Sequence, residues 1–455
     1  QQPRRAHAAA REHDDLGRIT SITDGVGGTE VVEYVYKGGY LQEKELGNNA
    51  VELSLGTGTG LSGYDAFGRL ETLVWNDVGT GQIFKRQYAF DQDSNPTWQK
   101  DLDGSGDATA RSEFYVYDGL NRLTTFKRGT PNGGGMDIDS PARQQAWTLS
   151  KEGDWDAVTT NPPAGGEPTD ERTHNASHEL TAVDPDGQGG ASADPLTYDR
   201  AGNLWKDAPW GAASYVVYNS TVEDKNRRYT YDFRNRLLKV ERQTSDSPET
   251  WQTVGEYRYD GQNRRVWRKV SNSGSLNGEW VYLYAGWRCI EERDWSGQTP
   301  ANVIQKQYVW GARYLDELCR LDKSTDTDNV CDDGTYYAAL NANWNVTALL
   351  NADGTVAEWY QYDPYGNVTF FTGAGTDGIW FTADDVSAAT SSVGNSYLFQ
   401  GQQLDAESGL YYFKNRYHSS LLGRFVQRDP IVAANLYQSL ASVPYSVLDA
   451  LGQSV

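Results

Sequence analysis

What most constrains this chain is a Tyr-Asp pair that recurs along most of its length. Each copy is followed, after two residues, by Gly, Asn or Ser and then by Arg or Asn. The pair stands at Tyr64-Asp65 with Gly68-Arg69, Tyr117-Asp118 with Asn121-Arg122, Tyr198-Asp199 with Gly202-Asn203, Tyr231-Asp232 with Asn235-Arg236, Tyr259-Asp260 with Asn263-Arg264, and Tyr362-Asp363 with Gly366-Asn367. Degenerate copies lie at His13-Asp14 with Gly17-Arg18 and at Phe90-Asp91 with Ser94-Asn95. Where the series is regular the spacing is roughly 26 to 33 residues, the range of a repeat array built from one supersecondary unit. An Asp accepts hydrogen bonds from backbone N–H groups just downstream, and the Gly or Asn that follows tolerates a left-handed backbone. Each unit therefore reads as strand, tight turn and returning strand. The Tyr rings pack in the sheet and the Asp carboxylates serve the turns, so neither is assigned to catalysis.

Flanking runs agree: Leu70 to Trp75 and Glu279 to Tyr284 are rich in aromatic and β-branched residues. No long stretch carries a helical apolar period. The expected fold is all-β, one continuous strip of hairpins whose edges must pair with neighbouring turns of the strip. A content of 47 Gly and 12% aromatic residues suits many short strands and turns. The formal net charge of −21 argues against nucleic-acid binding, which needs a basic face to displace counterions from phosphates. With a mean hydropathy of −0.68, no window resembles a membrane span.

The C-terminal region is more specific. Gly401 to Tyr417, reading Gly-Gln-Gln-Leu-Asp-Ala-Glu-Ser-Gly-Leu-Tyr-Tyr-Phe-Lys-Asn-Arg-Tyr, runs into Leu422-Gly423-Arg424-Phe425-Val426-Gln427-Arg428-Asp429-Pro430. With the Tyr-Asp series, this block resembles the YD-repeat or Rhs (rearrangement hot spot) family and its core-associated domain. Bacterial polymorphic toxins, the C component of Tc insecticidal toxins and the shell of teneurins belong to that family. The resemblance implies a hairpin strip spiralling into a hollow shell, or part of one, closed at one end by the core-associated segment. It divides the chain into a loose lead-in (1–12), a repeat strip (13–370), an insert (371–396) and a core-associated segment (397–455). It also implies an extracellular or cell-surface protein. Its expected partners are its own cleaved C-terminal domain, further YD-repeat segments or identical copies. The chain begins with Gln1 and without an apolar leader, as a processed product or a fragment would.

In toxin relatives the core domain acts as an aspartyl autoprotease that cuts just past an Asp-Pro-x-Gly motif. The resemblance therefore implies that Asp429, preceded by Arg428, and Asp449 are the catalytic pair, with Ala450 standing where the family has Pro. Two adjacent carboxylates can share a proton, one acting as base and the other as acid. A structural ion pair between Arg428 and Asp429 is the competing reading. At most this is a single-turnover enzyme, and no cofactor is expected unless calcium binds the loop Asp101-Leu102-Asp103-Gly104-Ser105-Gly106-Asp107. There Asp101, Asp103 and Asp107 have oxygen-ligand spacing but lack the downstream Glu of an EF-hand, and a solvated Asp-Gly turn is the better reading. A disulfide between Cys319 and Cys331 across an acidic hairpin loop would suit an oxidising compartment and leave Cys289 as a buried thiol; three unpaired cysteines are the alternative. His174 and His178 have no evident third ligand. Three functions compete: a secreted scaffold, the encapsulating part of a toxin whose toxic domain is removed or absent, and an adhesin using Trp155, Trp205 and Trp210.

Overall fold

The computed structural model describes residues 10–24, 28–47, 50–55, 63–79, 81–161, 169–184, 194–207, 226–297, 303–326, 330–430, 435, 437–439, 444–445 and 449–451. Gln1, Trp210 and Val455 lie outside the described residues.

The turn chemistry builds the molecule. In the Asp65 turn, Oδ1 accepts the N–H groups of Phe67 and Arg69 at 2.8 and 2.9 Å, while Oδ2 accepts Arg69 Nε at 2.6 Å. Gly68 closes the turn at φ 81°, a left-handed backbone that a side chain resists. The same two Oδ1 bonds recur at Asp14, Asp91, Asp118, Asp199, Asp232 and Asp260.

The Arg of each unit then reaches the next hairpin. Arg69 Nη1 donates to Asp91 O at 3.0 Å, Arg122 Nη1 to Ser150 O at 2.6 Å, Arg236 Nη1 to Asp260 O at 3.1 Å and Arg264 Nη1 to Gly286 O at 2.7 Å. Where Asn replaces Arg, its amide bridges instead: Asn95 to Asn121 and Asn203 to Asn235, both at 3.0 Å. The Tyr points the other way along the strip. Tyr64, Tyr231 and Tyr259 donate their hydroxyls to Leu41 O, Leu204 O and Leu237 O at 2.9, 2.8 and 2.7 Å. The Arg, Asn and Tyr bonds thus fasten one hairpin to a neighbour, while the Asp holds its own turn.

Strands follow one another in strict antiparallel order. A first 15-stranded sheet runs from Ala10–His13 to Asp194–Pro195 and a second from Thr197–Tyr198 to Val386–Ala388. A four-stranded sheet follows, made of Gln403–Asp405, Leu410–Phe413, Arg416–Ser419 and Arg424–Phe425. Only two short 3-10 turns and no α-helix occur among the described residues. The all-β spiralling strip expected from the sequence is what forms. Its last strand, Val386–Ala388, lies within the insert and pairs with Val368–Gly373.

The strip folds back on itself. Strands Gly334–Leu340, Val346–Asn351 and Val356–Tyr362 lie between the first sheet and the C-terminal segment, with neighbouring side chains pointing to opposite layers. Ala339, Ala348, Leu350 and Trp359 meet Leu46, Leu53, Trp75 and Phe84 of the first sheet. Ala338, Leu340, Leu349 and Tyr360 meet Phe399, Tyr411 and Phe413. Burial on both faces is why these strands read as nearly unbroken apolar runs. A fully buried ion pair crosses the sheet interface: Lys44 Nζ lies 2.8 Å from Glu317 Oε1, both side chains being 0% exposed.

Candidate functional site

The C-terminal segment packs against strands of both large sheets. Leu410, Tyr412 and Tyr417 meet Leu204, Tyr229 and Tyr257, and the Tyr445 ring lies tilted against Tyr115 with 4.2 Å between centroids. The strands Leu410–Phe413 and Arg416–Ser419 form a hairpin whose register, Phe413 opposite Arg416, leaves a two-residue tip of Lys414 and Asn415. Lys414 takes φ 61°, as the first residue of such tight hairpin turns requires.

The three residues of this tip and its return strand gather the terminal chain. Lys414 Nζ bonds Asp316 Oδ2 at 2.6 Å and Gln402 Oε1 at 3.1 Å, fixing the tip to the strip. Arg416 Nη2 stands 2.8 Å from Asp429 Oδ2 and 3.3 Å from Asp449 Oδ2, with side-chain exposures of 1%, 0% and 4%. Its guanidinium also lies 3.6 Å from the centroid of the Phe425 ring. Burial pushes Arg416 below the usual guanidinium range, and the two carboxylates pull it back up.

Asp429 and Asp449 are therefore brought to one buried cation, and that cation is Arg416. Arg428, expected beside Asp429, points elsewhere: its Nε donates to Tyr437 Oη at 3.0 Å and its Nη2 to Glu179 Oε1 at 3.1 Å. It packs over Gly202, where an added Cβ would lie 2.1 Å from Arg428 Nε. Arg428 thus fastens the core segment to the Asp199 turn. Arg416 was within the family-like block, but only strand pairing shows which Arg faces the two carboxylates.

The remaining expected sites are placed as follows. Asp101 is buried, ion-paired with Arg111 and, at 3.5 Å, with Arg86. Asp103 makes a repeat-type turn, accepting Ser105 N and Asp107 N at 2.9 Å, and the Ser105 hydroxyl bonds both Asp103 and Asp107. Among the described residues no group of three or more His, Cys, Asp or Glu is arranged to hold a metal ion.

Cys319 and Cys331 are free thiols rather than a disulfide, as is Cys289. Cys319 faces the core between the large sheets, whereas Cys331 lies among Asp322, Asp332 and Asp333, further along the hairpin. Burial, helped by those carboxylates, pushes the Cys331 thiol up to about 12. His178 Nδ1 pairs with Asp154 Oδ2 at 2.7 Å, and Asn435 donates to Asp154 Oδ1 at 2.8 Å, so Asp154 ties the terminal segment to the strip. Trp155 is buried and Trp205 is exposed. No helix among the described residues is long and apolar enough to cross a membrane.

No family model matches the chain. It is 23% identical over 380 residues to the tRNA nuclease WapA of Bacillus subtilis (strain 168), an alignment covering 75% of this chain and 13% of that protein. It is 24% identical over 231 residues to toxin subunit YenC2 of Yersinia entomophaga, covering 49% of this chain and 21% of YenC2. In fold it resembles the crystal structure of TcdB2-TccC3-Cdc42, with a TM-score of 0.70, 18% identity, and coverage of 98% of this chain and 20% of that one. The Photorhabdus luminescens Tc holotoxin pore gives a TM-score of 0.67 at 18% identity, again covering 98% of this chain and 20% of that chain. The chain thus has the fold of Tc toxin shells and spans about a fifth or less of the length of these relatives.

Proposed function

We propose that this chain is the wall and closure of a toxin-related YD-repeat shell, acting outside the cell, and that its only chemistry is a single cut in its own C-terminal segment. The similarity to WapA and YenC2 supports the shell reading. The observation that carries the self-cleavage reading is Arg416, which holds Asp429 and Asp449 together from opposite ends of the terminal segment.

Asp429 and Asp449 both meet the Arg416 guanidinium, and in this reading the pair shares one proton. The ionised carboxylate then serves as base toward a water, and the protonated one donates to the departing amide nitrogen. In this reading Arg416 positions both groups, and the partners of the shell are the released C-terminal domain, further repeat segments or identical copies.

The test is to express a version extended beyond Val455 and follow its processing beside Asp429→Asn and Asp449→Asn. Loss of processing in both variants is expected. Processing of either at the parent's rate sinks the carboxylate-pair mechanism. An unrelated, divergent domain encoded directly after this segment would identify the cargo as a toxin, whereas a stop there would favour a scaffold.

A further inference from the structure

A narrow cleft lies where the two large sheets meet the terminal segment, and neither Asp429 nor Asp449 lines it. The first sheet and its loops contribute Arg86, Gln99 and Arg111, the second Asn345 and Trp359, and the terminal segment Tyr445. Its walls carry more hydrogen-bond donors than the fold uses. Arg86, 11% exposed, makes only two long bonds among the described residues, Nε to Asp101 Oδ2 at 3.5 Å and Nη1 to Thr347 Oγ1 at 3.4 Å. Asn345 spends its Oδ1 on the Gln400 N–H at 2.8 Å, and its Nδ2 has no acceptor among the described residues. Gln99 is 7% exposed and its amide is likewise unbonded there, and the buried Trp359 Nε1 has no acceptor.

The charges point the same way. Asp101 is shared by Arg86 and Arg111, Glu113 is taken by Arg128 at 2.7 Å, and Asp363 by Arg143 at 2.6 Å with Arg128 further off at 3.8 Å. Four guanidiniums therefore meet three carboxylates, leaving one positive charge over in a chain whose net charge is −21. A buried charge without a counterion is costly. One more anionic group would complete the set.

We propose that this cleft binds a single carboxylate carried on a small apolar body. The planar fork of a guanidinium fits a carboxylate, and a phosphate monoester would bring about two negative charges to a site with one to match. Arg86 supplies the free N–H groups and the charge, with Gln99, Asn345 Nδ2 and Trp359 Nε1 as further donors. The apolar body rests on the rings that line the same cleft: Phe381, 5.2 Å from Trp359 and capped by Arg111 at 4.1 Å, and Tyr445. Because Tyr445 belongs to the terminal segment, the site is complete only when that segment is seated. The carboxylate comes either from a free organic acid or from an acidic side chain of another stretch of polypeptide.

Calorimetric titration of the 455-residue chain with benzoate at neutral pH should show one site, and benzamide, its neutral isostere, should bind roughly 10-fold or more weakly. Arg86→Gln should abolish benzoate binding yet melt no lower than the parent, since Asp101 keeps Arg111; a merely structural Arg86 would lower the melt instead. Trp359→Phe keeps the ring and removes the unpaired donor, and should weaken benzoate by roughly 10-fold or more. A second titration uses a short glutamate-bearing peptide blocked at both ends. If it binds more tightly than benzoate and loses affinity in Arg86→Gln, the ligand is a protein side chain; the reverse order assigns a free acid. The proposal is overturned if neither carboxylate binds up to about 10 mM, if benzamide matches benzoate, or if Arg86→Gln leaves the affinity unchanged.

Discussion

Replacing Glu317 by Gln should unlock the two large sheets from each other, with an effect that depends on pH in a defined direction. The Glu317 carboxylate is fully buried where the sheets meet. It accepts Lys44 Nζ at 2.8 Å, Arg313 Nε and Nη2 at 3.1 and 3.0 Å, and the Arg313 backbone N–H at 2.9 Å. Burial by itself would raise its pKa, but Arg313 and Lys44 override this and lower it from the ordinary 4.5 to about 2. At 1.36 kcal/mol per unit, that depression corresponds to about 3 kcal/mol of folding stability. The figure is close to the ~3–5 kcal/mol cost of breaking a buried pair by removing one partner. A depressed carboxylate contributes fully above 4.5, and its contribution disappears as the pH falls through about 2. Urea unfolding followed by tryptophan fluorescence is a suitable assay, since Trp75 is buried in this interface with its indole N–H on Leu340 O at 2.9 Å. The gap between parent and Glu317→Gln should be about 3 kcal/mol near pH 7 and roughly half of that near pH 3. A gap under about 1 kcal/mol at neutral pH, or one of equal size at both pH values, would refute the reasoning.

Three further expectations follow from other parts of the fold. Arg236→Ala removes both its own turn's ion pair and the bond to Asp260 O, so it should cost about 1–2 kcal/mol and speed hydrogen exchange at Gln262 and Asn263 in the next turn. Gly202→Ala combines a strained φ of 82° with a clash against Arg428 Nε; thermal melts should show a loss above ~1 kcal/mol, whereas Gly104→Ala, with no atom within 4 Å of the added carbon, should melt close to the parent. His418 lies fully buried among Phe399, Tyr411, Phe413 and Phe425 with neither ring nitrogen bonded, and burial, aided by Arg416, lowers its pKa from 6.5 to about 3. Its native form is neutral, so stability is lost as the pH falls below 6.5; His418→Phe should gain on the parent by about 2 kcal/mol near pH 5, and a gain that does not grow with acidity would contradict this.

The sequence by itself determined where this chain turns. Asp65 completes its bonds to Phe67 and Arg69 within five residues, so the turn and the two strands it joins are written locally, and hairpins laid end to end order their strands as a meander. Even the loop from Asp101 to Asp107 obeys this chemistry, its Asp103 making the same backbone bonds as the repeat. Only the tertiary structure decided which charges meet. On paper Arg428, its neighbour in sequence, is the expected partner of Asp429. The register of one hairpin and the packing of the terminal segment give the carboxylates to Arg416 and send Arg428 to Tyr437 and Glu179. Likewise nothing near Cys319 in sequence says that it faces the intersheet core, away from Cys331. The physical reason is the same in each case. Local hydrogen bonds are fixed by residues a few positions apart, whereas a buried charge must be matched by whatever group the folded layers bring to it.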